Sequence, residues 1–254
     1  METNLTQIYA NKDNNPNIIG RNDEVMNVFI TLLRHEKPNT LLVSEPGVGK
    51  TAIVHQAAFL IANKLCPEAL FGYKVIEINT NALIAGPGYR GVTEEKFQNV
   101  IDKSLNDGKT ILFFDEFHTV ESLGKMANGQ TPGLGNTLKP YLTRPDFRVI
   151  GATTHDEFNQ ISDRALLRRF FVQKVVEPNE KAIRSITSAC FKKYFGKVKE
   201  DVITQCVDLS NSMDGFNPDK VKDLVDLTCA YARIKNKNSI TTKTVKETFN
   251  KFFK

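Results

Sequence analysis

The chain has 254 residues, 41% hydrophobic and 25% charged, an ordinary globular composition with ample material for a core. No apolar run approaches the ~20 residues that span a bilayer. Residues 1–10 lack the basic-then-apolar order of a secretory leader, so membrane-spanning and secreted classes are set aside. Net charge is +5, placed unevenly: residues 1–177 carry 19 Lys/Arg against 20 Asp/Glu (−1), and residues 178–254 carry 15 against 9 (+6).

Residues 1–16 are polar and Asn-rich and read as a flexible lead-in, poorly ordered unless pinned. Ile18-Ile19-Gly20 is an apolar element, either a slot for an adenine ring or simple core packing. A helix follows from about Asp23 to His35, with Asn22 as its N-cap. Leu41-Leu42-Val43 reads as a strand, and Ala52–Lys64 as a helix. Between them lies Ser44-Glu45-Pro46-Gly47-Val48-Gly49-Lys50-Thr51, the context of a phosphate-binding loop. Gly47 and Gly49 let backbone N–H groups face a polyphosphate, at a helix N-terminus that favours anions. Lys50 can reach the β- and γ-phosphates of a bound nucleotide, and the Thr51 hydroxyl can hold Mg²⁺. Ser44 departs from the G-x-x-x-x-G-K-[ST] template. A positive φ there would strain the backbone by about 1–2 kcal/mol. The plain alternative is a Gly-rich turn before a helix.

Lys74–Ile78 is a second strand. Gly86, Pro87, Gly88 and Gly91 make a loop that displays Tyr89 and Arg90, a contact candidate, before a helix from Thr93 to about Leu105. Thr110–Phe114 is an apolar strand buried on both faces, ending in Asp115-Glu116, where ligands bind in open α/β sheets. Asp115 suits Mg²⁺ binding through water, and Glu116 suits orienting the attacking water. His118 follows and reads as structural. A second Gly-rich loop spans Glu121–Asn136. Phe147–Gly151 is a fourth strand, followed by Ala152-Thr153-Thr154. The Thr154 hydroxyl can sense a γ-phosphate or N-cap a helix near Glu157. Arg168 and Arg169 stand at a helix end before a fifth strand, Phe171–Val176. If subunits form a ring, one of them can act on a neighbour's ATP; otherwise they are surface arginines.

From Pro178 the spacing is helical throughout, which marks a boundary near Glu177-Pro178. Pro218 is placed at the first position of one of these helices. Cys66, Cys190, Cys206 and Cys229 have no C-x-x-C spacing and sit in helical-looking apolar patterns. They read as buried free thiols of a reducing, cytoplasmic compartment, not as a metal site.

The ordered set IIGR, EPGVGKT, LIAGPGYRG, ILFFDEFHTV, NTLKP, IGATTHDEF and ALLRRF resembles the first ATPase ring of Clp-type AAA+ unfoldases and disaggregases, from about Asn17 to the chain end. The resemblance implies an α/β fold: a three-layer αβα P-loop domain with a five-stranded parallel sheet over residues 17–177, and a small helical lid over 178–254. It implies ATP and Mg²⁺ as ligands, with Lys50, Thr51, Asp115 and Glu116 as the phosphate, metal and catalytic residues. It assigns Thr154 as sensor, Arg168 and Arg169 as trans-acting fingers, and Tyr89 with Arg90 as a pore loop that grips protein. It places Ile18 to Gly20, and Pro218-Asp219-Lys220, near the adenine and the lid hinge. The partners it implies are a homo-oligomeric, hexameric ring or another AAA+ subunit, and a protein substrate. A nucleic-acid-associated ATPase, suggested by the basic lid, and an ATP-switched assembly factor with little turnover are the alternatives. Leu167 stands where the family has Glu, and the segment before Pro218 lacks the family's arginine. The adaptor, coiled-coil and second-ring modules have no counterpart in these residues, so the expectation is a stand-alone module.

Overall fold

The computed structural model describes residues 2–80, 82, 90–122 and 133–254. It divides into two compact units. One joins residues 1–44 to Lys50–Val175; the other joins Glu45–Gly49 to Val176–Lys254.

The first unit is built on a sheet of strands β1 (Glu2–Asn4), β2 (Thr40–Ser44), β3 (Lys74–Ile78), β4 (Thr110–Phe114), β5 (Arg148–Thr154) and β6 (Phe171–Lys174). Among the described residues the spatial order is β1-β3-β4-β5-β2-β6. The five strands from β3 to β6 are parallel. Strands β2 and β4 are buried along their whole length, as apolar runs of a sheet covered on both faces should be. Alternation sends Leu41, Val43, Leu112, Phe114 and Val149 into one core layer with Phe97 and Phe117. Helices α1 (Leu5–Ile8), α2 (Asn22–Leu32) and α3 (Lys50–Ala62) pack together. A separate set comprises α4 (Arg90–Asp107), α5 (His118–Ser122), α6 (Leu134–Leu138) and α7 (His155–Gln160). Helix α8 (Arg164–Leu167) precedes β6. The chain leaves β2 for β3, returns through β4 and β5, and then crosses to β6 on β2's other side. The carboxyl end of β2 is therefore the switch point, where α/β sheets bind ligands.

Several expectations need correction. The first residues are not a loose lead-in: β1 pairs antiparallel with β3, Glu2 opposite Ile78, and Leu5 is buried. Tyr9 is pinned to α3 by its hydroxyl on His55 Nδ1 (3.1 Å) and by Asn63 donating to its carbonyl (2.9 Å). Asn22 is the first residue of α2, not its cap; Arg21 precedes it, buried and paired with Glu24 at 2.6 Å. The fourth strand runs three residues further, to Thr154.

The second unit carries helices α9 (Glu180–Tyr194), α10 (Glu200–Ser210), α11 (Asp219–Ile234) and α12 (Thr242–Phe252). Their apolar faces enclose Phe191, Cys206, Leu224, Cys229, Val245 and Phe249. Pro218 is the residue before α11 and not its first. The four cysteines are free thiols. Cys66 lies beyond the end of α3, outside any helix. Burial pushes the Cys229 thiol up to about 11, and Cys206 higher still. No helix among the described residues is long and apolar enough to cross a membrane.

Candidate nucleotide site

Strand β2 ends at Ser44 and α3 starts at Lys50, so Glu45–Gly49 must turn tightly. Gly47 (φ +75°) and Gly49 (φ +106°) supply the left-handed backbone that this turn requires. A Cβ on Gly47 would also lie 2.6 Å from Asp219 Cβ, within the second unit. Asp219 itself opens α11. Val48 is buried, Glu45 half-buried, and Pro46 and Gly47 exposed. Ser44 is wholly buried and is not among the residues with positive φ. The expected strain is therefore absent; Lys50 Nζ instead donates to the Ser44 hydroxyl (3.1 Å) and carbonyl (3.3 Å).

Strand β4 delivers Asp115, whose Oδ2 accepts from Thr51 Oγ1 at 2.7 Å. A hydroxyl and a carboxylate so close form a pair of hard oxygen donors, which fits Mg²⁺. Glu116 is exposed and holds φ +55°, unusual for a residue with a side chain. Its carbonyl accepts from Thr119 N (2.9 Å) and Thr119 Oγ1 (2.8 Å).

Register places Thr154 beside Ser44 on adjacent strands. Thr154 also caps α7: its hydroxyl accepts from Glu157 N (3.3 Å), and Glu157 Oε2 accepts from Thr154 N (3.0 Å). The T-x-x-E spacing announces this box in the sequence. His118, set aside in the sequence, lies 3.1 Å from Glu157 Oε2 and 3.3 Å from Thr153 Oγ1. Burial alone would push the Glu157 carboxyl up. The Thr154 N–H and hydroxyl, His118 and Thr153 together hold it below the usual carboxylate range.

The two arginines differ. Arg168 is exposed at the end of α8. Arg169 folds back to donate to the Ala165 carbonyl, and its Nε is buried without a hydrogen-bond partner. Leu167, which departs from the resemblance, is buried in the sheet core. Ile18 and Ile19 are half-buried ahead of α2, and Ile18 N donates to Gln56 of α3 at 3.4 Å. Gly20 is exposed, at φ +74°. Tyr89 lies outside the described residues; Arg90 opens α4.

Residues 40–178 match the family model described as ATPase family associated with various cellular activities (AAA). The chain belongs to the AAA family. Chaperone protein ClpB of Porphyromonas gingivalis is similar to this AAA chain at 39% identity over 226 residues, 85% of the chain and 26% of ClpB. ClpB of Lactococcus lactis matches at 39% over 234 residues, 89% of the chain and 27% of its own length. Among solved structures, the S. cerevisiae Hsp104-ADP complex superposes with a TM-score of 0.86 at 30% identity, covering 99% of this chain and 44% of that one. A closed-state reconstruction of Hsp104 with ATPγS and FITC casein gives 0.86 at 30%. The AAA chain thus spans about a quarter of the curated relatives' length.

Proposed function

We propose that this AAA chain binds and hydrolyses ATP as one subunit of a ring that remodels, unfolds or threads protein. The observation that carries the reading is the 2.7 Å contact between Thr51 and Asp115. It joins the start of the phosphate-loop helix to the carboxylate that follows β4, two strands across the sheet from β2.

The N–H groups of 47–51, at the N-terminus of α3, receive the phosphates, and Ile18 to Gly20 flank the base. Lys50 leaves Ser44 for the β- and γ-phosphates. Thr51 and Asp115 would hold Mg²⁺, which when bound offsets the phosphate charge. Glu116 accepts a proton from the attacking water, and Thr154 contacts the γ-phosphate. Arg168, exposed, acts on a neighbouring subunit's ATP; Arg169, just past the end of α8, supports it by folding back on the Ala165 carbonyl. Tyr89 and Arg90 grip the polypeptide. Support for a protein substrate comes from the chaperone name of the ClpB relatives and from casein in an Hsp104 structure. A cytoplasmic location goes with this reading, and the free cysteines support it.

Specific ATPase activity should rise with protein concentration through the range in which rings assemble, and unfolded polypeptide should raise it further. A flat profile across assembly would remove the trans-acting arginine. Stimulation by single-stranded DNA instead, falling steeply with salt, would replace protein by nucleic acid.

A further inference from the structure

We infer that His118 and Glu157 are positioning residues for ATP hydrolysis, fastening the helix that follows Glu116 to the strand end that carries Thr154. The inference rests on the ATPase reading above.

Strands β4 and β5 run side by side, with Phe114 opposite Gly151. Each ends in candidate machinery: Asp115-Glu116 on one, Thr154 on the other. Beyond that rung, Phe117 N donates to the Ala152 carbonyl (2.8 Å). Past it, side chains hold the two ends together. Glu157 Oε2 accepts from Thr154 N (3.0 Å) and Thr153 Oγ1 (3.2 Å), and it lies 3.1 Å from His118 Nδ1. A carboxylate only accepts, so His118 Nδ1 carries a hydrogen aimed at Glu157.

Glu116 depends on this fastening. A φ of +55° costs an ordinary residue on the order of 1–3 kcal/mol and persists only where its surroundings enforce it. The first turn of α5 enforces it here, because Thr119 holds the Glu116 carbonyl and its hydroxyl also meets Thr80 Oγ1 at 3.1 Å. His118 lies in that turn, and Glu157 ties the turn to β5. Glu116 and Thr154 therefore keep a fixed relation that the strand ladder alone does not set. Both partners are partly exposed, 26% for His118 and 34% for Glu157, so the pair adds little to global stability. Its effect belongs in the rate.

The test is steady-state ATPase kinetics on assembled protein for His118→Ala, Glu157→Ala, the double variant, His118→Asn and Glu157→Gln, with Glu116→Gln as reference. Each alanine should lower kcat about tenfold while KM for ATP stays within about twofold. The double variant should be no slower than the slower single, because both changes break one link. His118→Asn supplies a replacement N–H donor, and Glu157→Gln keeps an acceptor oxygen; both should recover most of the rate. Multiplicative losses, losses in KM alone, or wild-type kcat in both alanine variants while Glu116→Gln is inactive would overturn the inference. Unchanged turnover in Glu116→Gln would overturn the ATPase reading itself and this inference with it. Should Glu157→Ala fail to fold through loss of the cap, the His118 variants decide, since His118 stands outside the capping box.

Discussion

Lys50 Nζ rests 3.1 Å from the hydroxyl of Ser44, the residue that replaces the first glycine of the phosphate-loop template. The ammonium must leave this acceptor to reach a phosphate. Ser44→Ala removes the hydroxyl at a wholly buried position without adding bulk. Hydrogen bonds to charged groups contribute roughly 1.5–3 kcal/mol, partly regained from water. Nucleotide titration should show ATP binding tighter by about three- to tenfold, since 1.4 kcal/mol is tenfold. Weaker binding would mean that the hydroxyl serves the bound state instead.

Asn39, fully buried just ahead of β2, ties three parts of the first unit together. Its Nδ2 donates to the carbonyls of Leu142 (2.9 Å) and Arg169 (3.2 Å), and its Oδ1 accepts from Val149 N (3.0 Å). Asn39→Ala leaves these backbone groups unpaired in the interior. At about 1–3 kcal/mol for a stranded buried group, the loss should reach about 3 kcal/mol. Urea denaturation reads it directly, and a midpoint equal to wild type would mean that water replaces the amide.

Asp163 gives the first unit an acid-sensitive contact. Burial would raise its carboxyl, but hydrogen bonds from Lys139 and from the Leu166 N–H (3.0 Å) bring it below the ordinary range. A depressed folded-state pKa stabilises above the unfolded value, near 3.9, and that stability is lost as pH falls through the folded value. Asp163→Asn should lower the urea midpoint at pH 7, and the gap from wild type should narrow below about pH 4. A gap independent of pH would assign the effect to capping alone.

Arg168 and Arg169 should separate cleanly. Arg168 is exposed, so Arg168→Ala should leave the melting temperature within about 1 °C. If it acts across subunits, turnover in assembled protein should fall by about a hundredfold or more. Arg169→Ala removes a hydrogen bond to Ala165 and a half-buried side chain, so it should lower thermal stability as well. Equal thermal losses in both variants would contradict this division.

Much of the site was legible because its signals are local and steric. Lys74–Ile78 and Thr110–Phe114 match the observed strands end to end, since apolar runs of that length have few other places to go. The phosphate loop was legible from its glycines, and two of them take the positive φ that the turn requires. Strand β1 was not legible. Glu2-Thr3-Asn4 has no apolar pattern, and its place comes from backbone pairing with an edge 74 residues away, Thr3 opposite Glu77. The left-handed backbone of Glu116 was equally hidden, because a Glu carries no signal for it; Thr119, three residues on and itself in contact with Thr80, holds it. His118 looked structural as a lone histidine. Only the fold brings Thr153 and Glu157 to its ring.

The most direct measurement is ATP binding and turnover for Glu116→Gln beside wild type. Glutamine keeps the size of the side chain and cannot take a proton from water. ATP should bind with wild-type affinity while turnover falls by about a hundredfold or more. Turnover equal to wild type would contradict the account, because hydrolysis would then not pass through this strand end.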